Sequence, residues 1–501
     1  MRRLAAAAAV LLITAFAAAP VAAQSAGRAQ ARRAAAPPPG SRLTRSLDSL
    51  LDAPPFEHAL WGVAIEDPSG RRVFERNADR LFVPASNAKL VVAAAATLLL
   101  PPDFRFRTSV YTSGTIAGGV LQGDLVLYGR GDPTLSDRFY PTRYSAFEEL
   151  ADSLRAHGVT RVEGDLVGDA SYFDSATIRP SWDSYDLAWW YAAPVTALGF
   201  NDNSADFLIT PAAPGLPPLI TFEPDLGLVQ FTNRARTVPV DSPRTIDFHR
   251  APGTNAVWAD GDVPADTRPW TENVSVADGP LWTATAFRHA LESHGVTVSG
   301  RTRTTFDPSA HAAARLTEAL AEHRSPPIGR IIEPVLRMSH NWYAELLLRT
   351  LGKERTGAGG WDSGLAVERR FLIDSLGADS TEFSLADGSG LSHANLVTPR
   401  VFVRILEAIR RRPRAASLRS ALPVAGVSGT LRTRYRGSGL AGRVRAKTGS
   451  IANTNTLSGY LDTPQGTWTF SIALNNHAEH GREALKRIDA IVAMLARRAE
   501  R

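Results

Sequence analysis

The chain has 501 residues, 44% hydrophobic and 21% charged, which excludes general disorder and fibrous architecture. It has no cysteine, so disulfide scaffolds, thiolate metal sites and cysteine nucleophiles are excluded as well. The net charge of +6 comes from the N-terminus: residues 1–45 hold seven Arg and no acid, leaving 49 basic against 50 acidic residues beyond them. That balance gives no compositional support for a nucleic-acid partner or a polyanion-binding surface.

Arg2 and Arg3, the apolar run Leu4 to Ala19 and the small residues Val21-Ala22-Ala23 read as an export signal cut before Gln24. An uncleaved anchor is the alternative, but the run is short for a span and Pro20 breaks it. An Ala/Arg/Pro-rich tether follows, reaching residue 42. No later stretch is long and apolar enough to cross a bilayer, so the mature protein is expected in the periplasm or on the cell-envelope exterior. Trp61 to Glu66 reads as a strand, Asp67-Pro68-Ser69-Gly70 as a turn and Arg72 to Glu75 as the returning strand. Leu90 to Leu100 is an apolar helix stopped by Pro101-Pro102. From about Phe104 to Pro327 short strand-like runs alternate with Gly, Pro and Asp turns, with helices at Tyr144 to His157 and Thr283 to His294. Helical patterns return at Ile331 to Leu351 and Pro399 to Arg411. Two strands (Asn455 to Leu461, Thr467 to Leu474) and an amphipathic helix (Arg482 to Arg498) close the chain. Matching strands and helices at both ends point to one domain interrupted by a large, β-rich insertion.

Three short pieces carry chemistry. Ser86-Asn87-Ala88-Lys89 opens the apolar helix, and residues three apart on a helix share a face. A neutral Lys89 amine can take the Ser86 proton and make its oxygen a nucleophile. Alone, the pair also fits an N-cap serine and a solvated lysine, although lysine is scarce here, with four against 52 arginines. Ser339-His340-Asn341 interrupts an apolar helical pattern, as a polar pair facing a cleft or as a helix junction. Lys447-Thr448-Gly449-Ser450 follows the alternating run Arg443 to Ala446. Lys447 and Thr448 can receive a carboxylate, and Gly449 admits a close substrate backbone; a plain strand-to-turn junction is the alternative. In this order the three form the signature of serine acyl-transferases that act on D-Ala-D-Ala or on β-lactams. The 253 residues from Ser86 to Ser339 exceed what a compact β-lactamase needs and match the insertion.

The chain resembles the D-alanyl-D-alanine carboxypeptidase/endopeptidase family, the class C low-molecular-mass penicillin-binding proteins of the penicillin-binding protein 4 type. The resemblance extends to Gly123 to Thr134, Gly164 to Asp169, Tyr191 to Ala197, Met338 to Glu345, Asp387-Gly-Ser-Gly-Leu-Ser392 and Leu457 to Tyr460. It implies an α+β fold: a transpeptidase/β-lactamase-like domain (43–104 and 325–501), an inserted domain II (105–200 and 274–324) and a nested domain III (201–273), the last two mainly β. It also implies roles. Ser86 is the nucleophile and Lys89 its base, with a second ammonium at Lys447. The N–H groups of Ser86 and Ser450 form the oxyanion hole. Ser339 relays a proton to the leaving nitrogen, and Asn341 holds Lys89 and the substrate amide. Lys447, Thr448, Gly449 and Ser450 line the site for the terminal carboxylate, with Ser389 and His393 as further substrate contacts. The implied partners are peptidoglycan stem peptides and, as covalent inhibitors, β-lactams; neither metal nor cofactor is implied. Two departures stand out. His340 replaces the family's usual Asp, at a position expected to point away from the chemistry. His393 replaces a usual Arg beside the pocket for the peptide side chain.

Other features carry less. Arg130-Gly131-Asp132 spells an adhesion tripeptide but lies in a Gly-Asp-Pro turn, and His477 to His480 lacks the spacing of a zinc protease. A β-lactamase or esterase on a related fold, and an inactive peptidoglycan-binding protein, are the alternative functions. No deacylating Glu is identifiable for the first, and the intact Ser86, Lys89 and Lys447 weigh against the second.

Overall fold

The computed structural model describes residues 42–478 and 481–499. The expected export signal, and the tether apart from Arg42, lie outside the described residues.

The two ends of the described chain build one antiparallel sheet. Its strands are β1 (Leu60–Glu66), β2 (Arg72–Arg76), β3 (Val444–Ile451), β4 (Thr454–Thr463) and β5 (Gly466–Asn475), in the order β2-β1-β5-β4-β3. The β1–β2 turn is closed by Asp67, whose carboxylate accepts from the Ser69 and Arg71 N–H groups while Gly70 takes φ 81°. β4 and β5 are buried at almost every position, on both faces, because helices cover both. On one face lie α1 (Arg42–Leu51) and the closing helix α7 (Gly481–Ala499), whose Leu47, Ile488 and Leu495 meet Trp61, Leu457 and Ile472. On the other lie α2 (Lys89–Leu99), α3 (Ile328–Arg337), α4 (Asn341–Thr356), α5 (Pro399–Arg411) and the short α6 (Ala416–Ala421). α2 is buried from Lys89 to Thr97, as an Ala/Val/Leu run apolar on all sides requires. Thr398 caps α5 by accepting from the Val401 N–H, with Pro399 in the first turn.

The interruption after α2 is β-rich, as the turn density predicts. Strands between 107 and 169 share sheets with strands between 297 and 324. Strands between 204 and 275 pair among themselves. Helices Ser145–Ala156 and Gly279–Ser293 fall where the apolar spacing places them.

At two places the structure decides between readings that the sequence left open. The helical pattern from Ile331 to Leu351 is two helices, not one: it breaks at Met338-Ser339-His340, where Ser339 takes the left-handed φ of 65°. Lys447-Thr448-Gly449-Ser450 does not end a strand; β3 runs through it to Ile451.

Candidate active site

Ser86 sits in a 3-10 turn, Ala85–Ala88, that leads directly into α2. The turn is locked from outside. Asn87 donates to Ser458 Oγ on β4 at 2.7 Å, and the Pro84 carbonyl accepts from Thr456 Oγ1 at 2.9 Å. Gly449 and Gly390 let the turn seat so closely. A Cβ on Gly449 would lie 2.2 Å from Thr456 Oγ1 and 2.8 Å from the Pro84 carbonyl. One on Gly390, which has φ 80°, would lie 1.9 Å from the Ala85 carbonyl oxygen. The close approach at Gly449 is thus made by the chain's own Pro84–Ala85.

Lys89 is fully buried, and its ammonium is fixed by three acceptors: Ser86 Oγ at 2.8 Å, Asn341 Oδ1 at 2.7 Å and the Ser389 carbonyl at 2.7 Å. Burial drives its pKa down to about 7, against the opposing pull of Asp387 and Glu345. Lys447 on β3 is equally buried and donates to Ser339 Oγ at 2.8 Å and to the Thr448 carbonyl at 2.7 Å. Burial first, and then the neighbouring Lys89, hold it well below an ordinary lysine. Two buried amines, each on its own serine, thus stand near enough for the charge of Lys89 to act on Lys447. Asn341 links Lys89 to the inserted segment, accepting from Lys89 and donating to the Tyr191 carbonyl at 2.9 Å. Farther along β3, Thr448 Oγ1 donates to Thr430 Oγ1 at 2.7 Å, and exposed Ser450 Oγ accepts from Asn455 at 3.1 Å.

Of the expected residues, Ser86, Lys89 and Asn341 therefore meet in one bonded group and Ser339 and Lys447 in a second, with Thr448, Gly449 and Ser450 following Lys447 along β3. Ser389 is placed differently: it is fully buried, its hydroxyl accepts from the Leu391 N–H, and it reaches the site through its carbonyl on Lys89. His393 is exposed and near enough to Asp186 for its charge to act on that carboxyl. Asp186 accepts from Tyr191 Oη at 3.0 Å; burial raises its carboxyl, and His393 opposes that rise.

The sequence left several supports unseen. Glu345, pushed up to about 7 by burial and by Asp387, accepts from Ser389 N–H at 2.7 Å, Gly388 N–H at 3.1 Å and Trp361 at 2.8 Å. Asp387 ties its own loop through the Gly390 and Ser392 N–H groups. The resemblance flagged the segment around Asp387, yet nothing there signals a carbonyl that holds Lys89.

His340 turns away from Lys89 as expected, but into a structural role. It is fully buried between Trp190 and Tyr343, and Nε2 meets Asp202 Oδ2 at 3.0 Å. Arg138 donates to the same carboxylate at 2.7 Å. Burial raises the Asp202 carboxyl, and these two partners more than reverse it; burial keeps His340 itself below an ordinary imidazole. His340, Asn341 and Trp342 all bond to the inserted segment, at Asp202, the Tyr191 carbonyl and the Pro194 carbonyl. That clamp holds Ser339 in a backbone region costing about 1–2 kcal/mol for a non-glycine residue. His340→Ala should therefore destabilise the protein by about 3 kcal/mol and slow acylation of Ser86 together. Denaturant unfolding and penicillin labelling rates check this, and labelling at the native rate would show that Ser339 needs no clamp.

Among the described residues no cluster of His, Cys, Asp or Glu could hold a metal, and no helix is long and apolar enough to cross a membrane.

Two half-buried serines, each bonded to a buried lysine, beside an antiparallel sheet with a long β-rich interruption in the chain define a serine acyl-transfer enzyme of the penicillin-binding class. The sequence model of the D-Ala-D-Ala carboxypeptidase 3 (S13) family matches residues 43–498, and the chain belongs to that family. A D-alanyl-D-alanine carboxypeptidase of Actinomadura sp. (strain R39) is 36% identical over 473 residues, covering 91% of this chain and 85% of that one. The D-alanyl-D-alanine carboxypeptidase DacB of Haemophilus influenzae is 26% identical over 408 residues, covering 79% and 80%. The crystal structure of penicillin binding protein 4 (dacB) from Haemophilus influenzae matches with a TM-score of 0.77 at 24% identity, covering 89% of this chain and 97% of that one.

Proposed function

We propose that the chain is an exported serine D-Ala-D-Ala carboxypeptidase that trims peptidoglycan stem peptides through an acyl-enzyme on Ser86 and binds β-lactams as covalent inhibitors. The observation that carries the reading is Lys89 Nζ, 2.8 Å from Ser86 Oγ and with its pKa lowered to about 7. An amine in this state accepts the Ser86 proton as Oγ attacks the carbonyl of the penultimate D-Ala. The negative oxygen of the tetrahedral intermediate goes to the backbone N–H groups of Ser86 and Ser450. Ser339, hydrogen-bonded to Lys447, passes a proton to the leaving D-Ala nitrogen. Lys447, Thr448 and Ser450 receive the terminal carboxylate, and water then releases the shortened peptide. Asn341 and the Ser389 carbonyl orient Lys89. We assign residues 43–104 and 325–501 to the catalytic domain, 105–200 and 274–324 to domain II and 201–273 to domain III; the separate strand pairing described above supports this division.

The exposed His393 and the nearby Asp186, on which its charge acts, support a subsite for a stem-peptide side chain that carries both an ammonium and a carboxylate, as diaminopimelate does. Asp186 suits the ammonium and His393 the carboxylate. Arginine grips a carboxylate through two parallel N–H groups, which an imidazole cannot offer from one edge. His393→Arg should therefore raise, by about fivefold, the ratio of kcat/KM for a diaminopimelyl peptide to that for a simple D-Ala-D-Ala mimic. An unchanged ratio would remove His393 from the subsite. The function itself is tested by following D-Ala release from a diaminopimelate-type pentapeptide: stoichiometric release, with the tetrapeptide as the other product, is expected, and an intact pentapeptide would contradict the reading.

A further inference from the structure

The near neutrality of the chain beyond residue 45 hides an uneven distribution. Residues 408–461 hold ten arginines and Lys447 and no Asp or Glu. Several of these arginines gather along the β3 edge of the sheet. Asp462, at the end of β4, is the carboxylate they share: Arg419 of α6 reaches it at 2.6 Å, Arg445 of β3 at 3.9 Å, and Arg443 donates to its carbonyl at 3.1 Å. Arg419, Arg445 and Asp462 are each about one-third exposed, so one anion is set against a surplus of solvent-facing cations. Past this cluster, Arg432 and Arg436 stand exposed on the 429–442 loop with no ion pair among the described residues; Arg436 donates only to the Arg432 carbonyl.

This surface borders the expected catalytic residues. Thr430, two residues before Arg432, accepts the bond from Thr448, and Arg445 lies two residues from Lys447, on the same face of β3. Gly429 packs against the Arg337 carbonyl at the end of α3, one turn from Ser339. A polymer held here lies alongside the acylation site. The partner's chemistry follows from the composition of the surface. Cations in surplus and half hydrated attract repeated anions. Membrane contact would need apolar side chains among the cations, and Val427 is the one large apolar residue exposed in 408–461.

We propose that the basic surface along the β3 edge is a docking site for the carboxylate-bearing peptidoglycan strand that carries the scissile peptide. The proposal rests on the carboxypeptidase reading and adds to it where the polymer, as opposed to the cleaved peptide, is held.

The probe is purified diaminopimelate-type sacculi stripped of phosphate-bearing polymers. The wild-type chain should pellet with them, and binding should weaken as NaCl rises from about 50 to about 300 mM, because exposed charges are screened over that range. The double variant Arg432→Glu/Arg436→Glu should bind sacculi about tenfold more weakly and with a flatter salt dependence, while its reaction with benzylpenicillin stays within about twofold of wild type. Amidating the sacculus carboxylates should weaken wild-type binding in the same way. Undiminished pelleting of the double variant, or of wild type on amidated sacculi, would overturn the proposal. So would a charge-reversal loss seen only with phosphatidylglycerol vesicles. Wild-type protein that pellets in this manner but forms no penicilloyl adduct would contradict the carboxypeptidase reading and leave the docking surface standing.

Discussion

Ser86→Ala should abolish both D-Ala release and penicillin labelling, a loss of at least about 10⁴-fold in kcat/KM. Among the described residues no second serine stands in this arrangement: Ser339 is bonded to Lys447, but it lies at a helix junction, without the 3-10 turn and helix start that present Ser86. The substitution removes a single oxygen, whose bond partner Lys89 keeps Asn341 and the Ser389 carbonyl as acceptors. The variant should therefore fold as wild type does. Circular dichroism and unfolding curves establish the fold, and intact-mass measurement after penicillin exposure reads the loss. Covalent labelling of the variant at another serine would displace Ser86 from the mechanism.

Lys89→Arg, which conserves charge, should cost about 10³-fold or more in acylation. A guanidinium does not give up its proton at any working pH, so it cannot take one from Ser86. Its planar fork also cannot satisfy three acceptors arranged around one nitrogen at 2.7–2.8 Å. The pH dependence of the wild-type enzyme carries the same argument with a definite sign. Lys89 is lowered to about 7, and the neutral amine is the base, so kcat/KM for acylation should rise with pH through about 7 as that proton leaves. Stopped-flow acylation between about pH 5.5 and 8.5 measures it. A rate that falls with rising pH across that range would mean that the protonated amine is the working form.

The parts of this site that side chains announce were legible in the sequence. Ser86 with Lys89, Ser339 with Asn341 and Lys447 with Thr448 each combine residue types whose chemistry is specific at short spacing. The structure brings them together across separations of more than 250 residues in the case of Lys89 and Asn341. The sheet strands were legible for a related reason: β1, β4 and β5 are apolar runs bounded by turn residues. The break between α3 and α4 was legible only as one of two readings of Ser339-His340-Asn341. Ser339 adopts a left-handed φ with no glycine to advertise it, and the apolar spacing carries on across the junction. The third acceptor on Lys89 was invisible because it is a backbone carbonyl, which has no residue signature; only the buried Glu345 and Asp387, fastening that loop, hint at it. Nor could spacing reveal that His340 pairs with Asp202, since that contact spans 138 residues and joins the insertion to the catalytic motif. The arginine-rich edge was concealed by averaging: its charge cancels against acids elsewhere in the chain.

The central claim is that Ser86 and a neutral Lys89 form an acyl-enzyme. Time-resolved intact-mass spectrometry with benzylpenicillin, followed by peptide mapping, tests it most directly. A single adduct of one penicilloyl group should appear on Ser86 and persist. Prompt loss of that adduct with turnover of the penicillin would make the chain a β-lactamase, and no adduct at all would leave a catalytically idle wall-binding protein; either result would contradict the account.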